Sequence, residues 1–307
     1  MSRLTEDARG VYVIAATPFQ EDGTLDFDST DRMVDTYLEK GAAGLTVLGM
    51  MGEATKLTPD EARRFVQHFL TRVDGRVPVV VGVSSPGFAQ MQELTKTVMG
   101  DGAGGVMIAP PSTLKTDDQI VNYYSQAVEF IGDTPFVLQD FPLVTNIHMS
   151  VSVIARIIRS LPSCVCLKHE DWPGLEKIST LREQGVLDRR ISILCGNGGL
   201  FLPEEMARGA DGAMTGFCCP EMMFDVVREM EAGNTERAYD VLNAYLPLMR
   251  YEQQPGLGLA VRKYVMAKRG VIASDTLRQP GARLGATART EIDLLLRRQD
   301  ERLAELG

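Results

Sequence analysis

Short apolar runs recur along the chain, each followed by a longer stretch whose apolar positions repeat with the period of a helix. The runs are VYVIAATPF (11–19), GLTVLG (44–49), VPVVVGV (77–83), GGVMIAP (104–110), PFVLQD (135–140), CVCLKHE (164–170), ISILCGN (191–197) and DGAMTG (211–216). They are continuous rather than alternating, the pattern of parallel strands covered on both faces. The intervening stretches carry their own helix signals. In LTPDEARRFVQHFLTRVDG, Thr58 is an N-cap, Pro59 takes the first helical position and Glu61 completes a capping box. Ala62, Phe65, Val66, Phe69, Leu70 and Val73 form one apolar stripe, which Gly75 ends. TDDQIVNYYSQAVEFIG repeats the device with Thr116 and Gln119.

Eight strands alternating with helices predict a parallel sheet, and eight such units predict closure into a (β/α)8 TIM barrel. An open doubly wound sheet is the alternative, but no Gly-x-Gly-x-x-Gly follows the first strand. After Pro220 the strands stop, and every remaining stretch is helical in pattern. EMMFDVVREMEAG reads as the eighth barrel helix. The expected organisation is a barrel over 1–232 and a C-terminal helical extension over 233–307 packed on it.

A formal net charge of −9 argues against a nucleic-acid or anionic-membrane partner, since both reward a basic face. The five cysteines, Cys164, Cys166, Cys195, Cys218 and Cys219, have neither zinc-site spacing nor the even count of a disulfide framework, and read as reduced core residues. Three histidines, His68, His148 and His169, offer no metal centre. The first ten residues lack an apolar signal core, and no run of 18 apolar residues occurs, so a cytoplasmic protein is expected.

The chemistry converges on the sixth strand. With period 2, Cys164, Cys166, Lys168 and Glu170 point into the barrel, and Val165, Leu167 and His169 point away. Active sites of such barrels lie at the C-terminal ends of the strands, where Lys168 falls. A lysine held there gives up hydration, which disfavours the ammonium, and a neutral amine attacks a ketone to form a Schiff base. A structural ion pair with Asp140 or Glu170 is the other reading of the same position. In LGMMGEATKLTPDEA (48–62), a tight turn between Gly49 and Gly52 leaves backbone N–H groups free, a cradle for a carboxylate.

A barrel with an anion cradle after strand two and a lysine ending strand six resembles the dihydrodipicolinate synthase/N-acetylneuraminate lyase family. The likeness runs from TPF (17–19) through PVVVGV (78–83) and the glycine loop at 196–199 to GADGAMTG (209–216). It implies a Schiff-base lyase acting on a small 2-keto acid, without metal or organic cofactor, assembled as a homotetramer. Where the family usually carries hydroxyl residues in the turn, this chain has Met50 and Met51. The tyrosine that usually ends strand five and shuttles protons is replaced by Gln139, followed by Asp140, Phe141 and Pro142; a second tyrosine expected after strand four is absent. These departures argue against dihydrodipicolinate synthesis and sialic acid cleavage.

Gln-Asp-x-Pro, Met-Thr-Gly (214–216) and LPLMRYEQQPGL (246–257) look like the branch containing L-2-keto-3-deoxyarabonate dehydratase. The implied reaction is dehydration of a 2-keto-3-deoxy sugar acid to an α-keto acid semialdehyde. A pyruvate-releasing retro-aldolase or dihydrodipicolinate synthase-like enzyme, and a catalytically weak keto-acid binder, are the alternatives. On this reading Lys168 forms the Schiff base, and Glu170 either transfers the proton or merely orients the lysine. Gly49, Met50, Met51, Gln139, Asp140, Gly196, Asn197 and Thr215 are the candidates for holding substrate. Trp172 either walls the pocket or packs in the core. Tyr251 and Glu252 belong to the branch pattern without an assigned role.

Overall fold

The computed structural model describes residues 2–172 and 174–307. Eight strands close into a barrel: β1 (Gly10–Ile14), β2 (Gly44–Val47), β3 (Val79–Gly82), β4 (Gly105–Ile108), β5 (Phe136–Asp140), β6 (Cys164–His169), β7 (Ser192–Cys195) and β8 (Gly212–Thr215). Each runs parallel to its neighbours, and β8 pairs back onto β1. Helices α1 (Phe27–Glu39), α2 (Pro59–Val73), α3 (Phe88–Gly100) and α4 (Asp117–Ile131) follow the first four strands. The short α5 (Pro142–Thr145) and then α6 (Val151–Ser160) follow β5, and α7 (Leu175–Arg182), α8 (Leu202–Ala207) and α9 (Glu221–Glu231) complete the ring.

The capping boxes form as the sequence predicts. Thr58 accepts from the Glu61 amide while Glu61 accepts from the Thr58 amide, and Thr116 and Gln119 do the same. Phe65, Val66, Phe69, Leu70 and Val73 are the buried stripe of α2, which ends at Asp74 in the left-handed region, one residue before Gly75.

The strands are buried on both faces, dividing the core in two. Val81, Val106, Leu138 and Leu167 pack outward under the helices, whereas Tyr12, Val80, Met107, Val137, Leu194 and Met214 fill the barrel interior. One feature of β6 departs from period 2. Phe136 pairs with Cys164 and Val137 with Cys166, leaving Val165 as an extra residue in a bulge. Cys164, expected to point inward, therefore lies under the helices, while Val165 joins Cys166 in the interior. All five cysteines are free and buried. Desolvation pushes the thiols of Cys164 and Cys166 up to about 12, so they behave as small apolar fillers.

Helices α10 (Thr235–Glu252), α11 (Gly258–Lys268) and α12 (Ala286–Leu306) form the C-terminal part, with α10 packed against α9, α11 and α12. Among the described residues no helix is long and apolar enough to cross a membrane. The segment after α11 returns to the barrel, where the Ala273 amide donates to Ser29 Oγ at 2.8 Å.

Closure of the barrel relies on a glycine. Gly212 pairs with Gly10 at φ +137°, and an added Cβ would stand 2.1 Å from the Gly10 carbonyl oxygen. Gly212→Ala is expected to cost roughly 2–4 kcal/mol, read as a lower denaturation midpoint. Gly100→Ala, in open space at the end of α3, serves as the near-neutral comparison.

Candidate active site

The ends of β5, β6, β7 and β8 bring together the side chains singled out on the sequence. Lys168 and Glu170 are each only 5% exposed, and Lys168 Nζ donates to Glu170 Oε2 at 2.5 Å. The Glu170 amide donates to the Asp140 carbonyl oxygen at 2.8 Å, so pairing continues past His169 and keeps Glu170 on the lysine's side. Gln139, on the neighbouring strand directly beside Lys168, donates through Nε2 to the same carboxylate oxygen at 2.9 Å. The carboxylate thus holds two donors in a place shut off from water, where each hydrogen bond is stronger and each missing one more costly.

The loop after β7 shapes the other side. An added Cβ on Gly196 would lie 2.2 Å from Glu170 Cγ, so a glycine is what leaves room for that carboxylate. Asn197 adopts φ 51° and donates from Nδ2 to the Glu170 carbonyl oxygen at 3.3 Å. The Gly198 amide donates to Thr215 Oγ1 at 2.9 Å, tying the loop to β8. Gln253, beyond α10, approaches the same loop so closely that a Cβ on Gly198 would stand 2.2 Å from its Nε2. Gln253 lies in the 246–257 stretch that carries the branch resemblance, but nothing in the sequence placed it at this loop. An amine hydrogen-bonded to a carboxylate in this manner has a partner able to take its proton, which is what nucleophilic attack on a carbonyl requires.

The turn after β2 is a single 3-10 turn, Met50–Gly52, closed by the Gly52 amide on the Gly49 carbonyl. The first amides of such a turn, those of Met50 and Met51, have no acceptor within it. Met51 packs against the interior core, while Met50 is 43% exposed. A cavity of about 770 Å³ is lined by Gly49, Met50, Ser84, Met107, Gln139 and Val144, and extends between α2 and α3 to Arg63 and Glu93. The carboxylate of Glu53, immediately after the turn, is buried and meets Lys263 of α11 at 2.7 Å and Lys56 at 2.9 Å. Burial lowers the Lys263 pKa to about 8 against the opposing pull of Glu53.

Other expectations are corrected. Asp140 does not reach the interior: its neighbour Gln139 does, and alternation sends Asp140 outward. There it is fully buried and accepts from Lys177 Nζ at 2.8 Å, with His169 Nδ1 3.6 Å away. His169 points away from the lumen as expected, its Nε2 3.0 Å from the Gly174 carbonyl oxygen. Trp172 is not a core residue; it is 44% exposed and meets Phe201 edge-on at 5.1 Å. Tyr251 donates to Glu291 at 2.6 Å, on the outside of the C-terminal helices. Glu252, by contrast, is buried and accepts from Arg262 Nε at 2.8 Å and from the Cys218 amide at 2.9 Å, fastening α10 and α11 to the loop after β8.

Residues 7–299 match the Dihydrodipicolinate synthetase family. The chain is 29% identical over 303 residues to an L-2-keto-3-deoxyarabonate dehydratase of Azospirillum brasilense, covering 97% of each protein. It is 28% identical over 242 residues to a 4-hydroxy-tetrahydrodipicolinate synthase of Oceanobacillus iheyensis, covering 78% of this chain and 80% of that protein. Among solved structures, one described as dihydrodipicolinate synthase from Rhodopseudomonas palustris superposes with a TM-score of 0.95 at 54% identity, covering 97% of this chain and 100% of that one. With the lysine at the end of β6, the turn after β2 and a family match spanning almost its whole length, the chain belongs to the Dihydrodipicolinate synthetase family of lyases.

Proposed function

We propose that the chain forms a Schiff base through Lys168 and dehydrates a 2-keto-3-deoxy sugar acid of the L-2-keto-3-deoxyarabonate type. The observation that carries this reading is the buried Lys168–Glu170–Gln139 arrangement, which supplies an ionisable group where the family's tyrosine is missing. Similarity to the A. brasilense dehydratase over 97% of the chain supports the substrate class.

Lys168 passes its proton to Glu170 and adds to the C2 ketone, and Glu170 returns the proton as the ketone oxygen leaves as water, giving an iminium and freeing the Glu170 carboxylate. The iminium draws electrons from the C3–H bond, a base removes that proton, and an enamine results. The enamine pair then expels the C4 hydroxyl, which leaves as water once protonated. Hydrolysis and tautomerisation free the lysine and give the semialdehyde, with the carbon count unchanged. Glu170 serves as the proton carrier, Gln139 fixes its carboxylate, and the Met50 and Met51 amides receive the substrate carboxylate. Thr215 and Asn197 line the polar rim for its hydroxyls.

Retro-aldol cleavage to pyruvate is the second reading, since it passes through the same iminium and differs only in breaking the C3–C4 bond. A panel of 2-keto-3-deoxy acids with products identified by mass separates the two. Loss of 18 Da without loss of carbon is expected, and pyruvate plus an aldehyde would replace the dehydratase reading.

Borohydride with pyruvate is expected to fix an adduct on Lys168, and an unmodified lysine would end the mechanism. Glu170→Gln keeps shape and hydrogen bonding but not ionisation. It is expected to lower kcat by about 10²–10⁴-fold, with the trapping plateau still reached but more slowly, and an unchanged kcat would leave Glu170 only an orienting role. Gly196→Ala pushes the Glu170 side chain aside. It is expected to reduce kcat by a similar order, about 10²-fold, with the circular dichroism spectrum preserved.

A further inference from the structure

Glu53 follows the turn in the left-handed region, φ 55° and ψ 30°, a conformation costly for a residue with a side chain unless its surroundings hold it. Those surroundings come from the far end of the chain. Lys263, 210 residues later and fully buried, donates from Nζ to Glu53 Oε1 at 2.7 Å. Its other contacts are the Thr17 carbonyl at 2.7 Å and the Thr276 carbonyl at 2.9 Å, so all three ammonium donors are used. The other carboxylate oxygen of Glu53 accepts from Lys56 Nζ at 2.9 Å and from the Arg278 amide at 3.1 Å.

Thr17 completes the clamp, since its Oγ1 donates to the Gly52 carbonyl at 2.6 Å while its own carbonyl receives Lys263. Lys263 and the Arg278 guanidinium both lie over the Phe19 ring, at 4.4 Å and 4.6 Å from its centroid. The turn is thus gripped at two consecutive residues, Gly52 and Glu53, by groups that meet at one ammonium. Lys263 does not line the cavity and has no free donor for a ligand.

We propose that Lys263 is a positioning residue for the substrate's carboxylate: through Glu53 it fixes the turn whose Met50 and Met51 amides receive that group. The proposal rests on the Schiff-base reading given above. It predicts a selective defect: a keto acid loses affinity, whereas a ketone without a carboxylate does not.

The test titrates pyruvate and, separately, acetone in borohydride trapping, with the adduct on Lys168 read by intact mass. In Lys263→Met the half-saturating pyruvate concentration is expected to rise about ten-fold or more, with the trapping plateau and the acetone curve unchanged. Glu53→Gln keeps the shape but removes the charge and turns an amide NH2 toward donors that one carboxylate oxygen accepts from, and it stands in should the buried methionine unfold the protein. It is expected to shift the pyruvate curve about three-fold in the same direction. Folded variants with an unshifted pyruvate curve, or with pyruvate and acetone affected equally, overturn the proposal. Absence of any adduct in the unmutated protein instead strikes the Schiff-base reading. Calorimetric pyruvate binding to the same variants then decides the role of Lys263 without reference to the adduct.

Discussion

A lysine and a glutamate buried side by side at the end of a barrel strand set the terms for everything around them. Removing two charges from water costs several kcal/mol each, and only close contact with further hydrogen bonds offsets it. The 2.5 Å contact between Lys168 and Glu170, the Gln139 amide on the same oxygen and the glycine at 196 are what make that burial tolerable. The arrangement is therefore costly to keep. A stability-driven sequence would replace it with apolar residues of similar volume, as the rest of the interior does with Val80, Met107 and Leu194.

The same physics recurs where the C-terminal helices meet the barrel. Glu53–Lys263 and Glu252–Arg262 are buried pairs made by residues far apart in the chain, each completed by backbone partners. Losing one member of such a pair leaves an unpaired buried charge, a penalty of about 3–5 kcal/mol, so each works as a rivet with a defined position. One rivet lies behind the turn after β2 and the other behind the loop after β8. The helices following the barrel thus reach both sides of its mouth.

The chemistry within the family turns on which group moves the proton. A tyrosine at the end of β5 works by ionising; a glutamine cannot, but it can hold a carboxylate still. Here Gln139 does that for Glu170, and on the mechanism proposed above the acid moves one strand over. The departures in the turn after β2 have a similar consequence. With methionines at 50 and 51, the anion binding proposed above falls to backbone amides, which raises the importance of whatever keeps the backbone in place.

The sequence by itself determined the elements and their order, because strand and helix patterns, capping boxes and terminating glycines act within a few residues of one another. It also placed Lys168, Gln139, Gly196 and Thr215 near one another, since barrel topology puts the ends of all strands on one rim. Period 2 placed Cys164 on the wrong face because a bulge at Val165, a matter of pairing with β5, interrupts the alternation. The same period separates Gln139 from Asp140, so grouping them as joint ligands overlooked what alternation requires. Only the tertiary structure decided the partners of Glu53 and Glu252, because Lys263 and Arg262 lie in a helical segment that carries no local mark of their task. A buried ion pair between residues 210 positions apart has no period and no spacing rule; it exists only once the chain has folded.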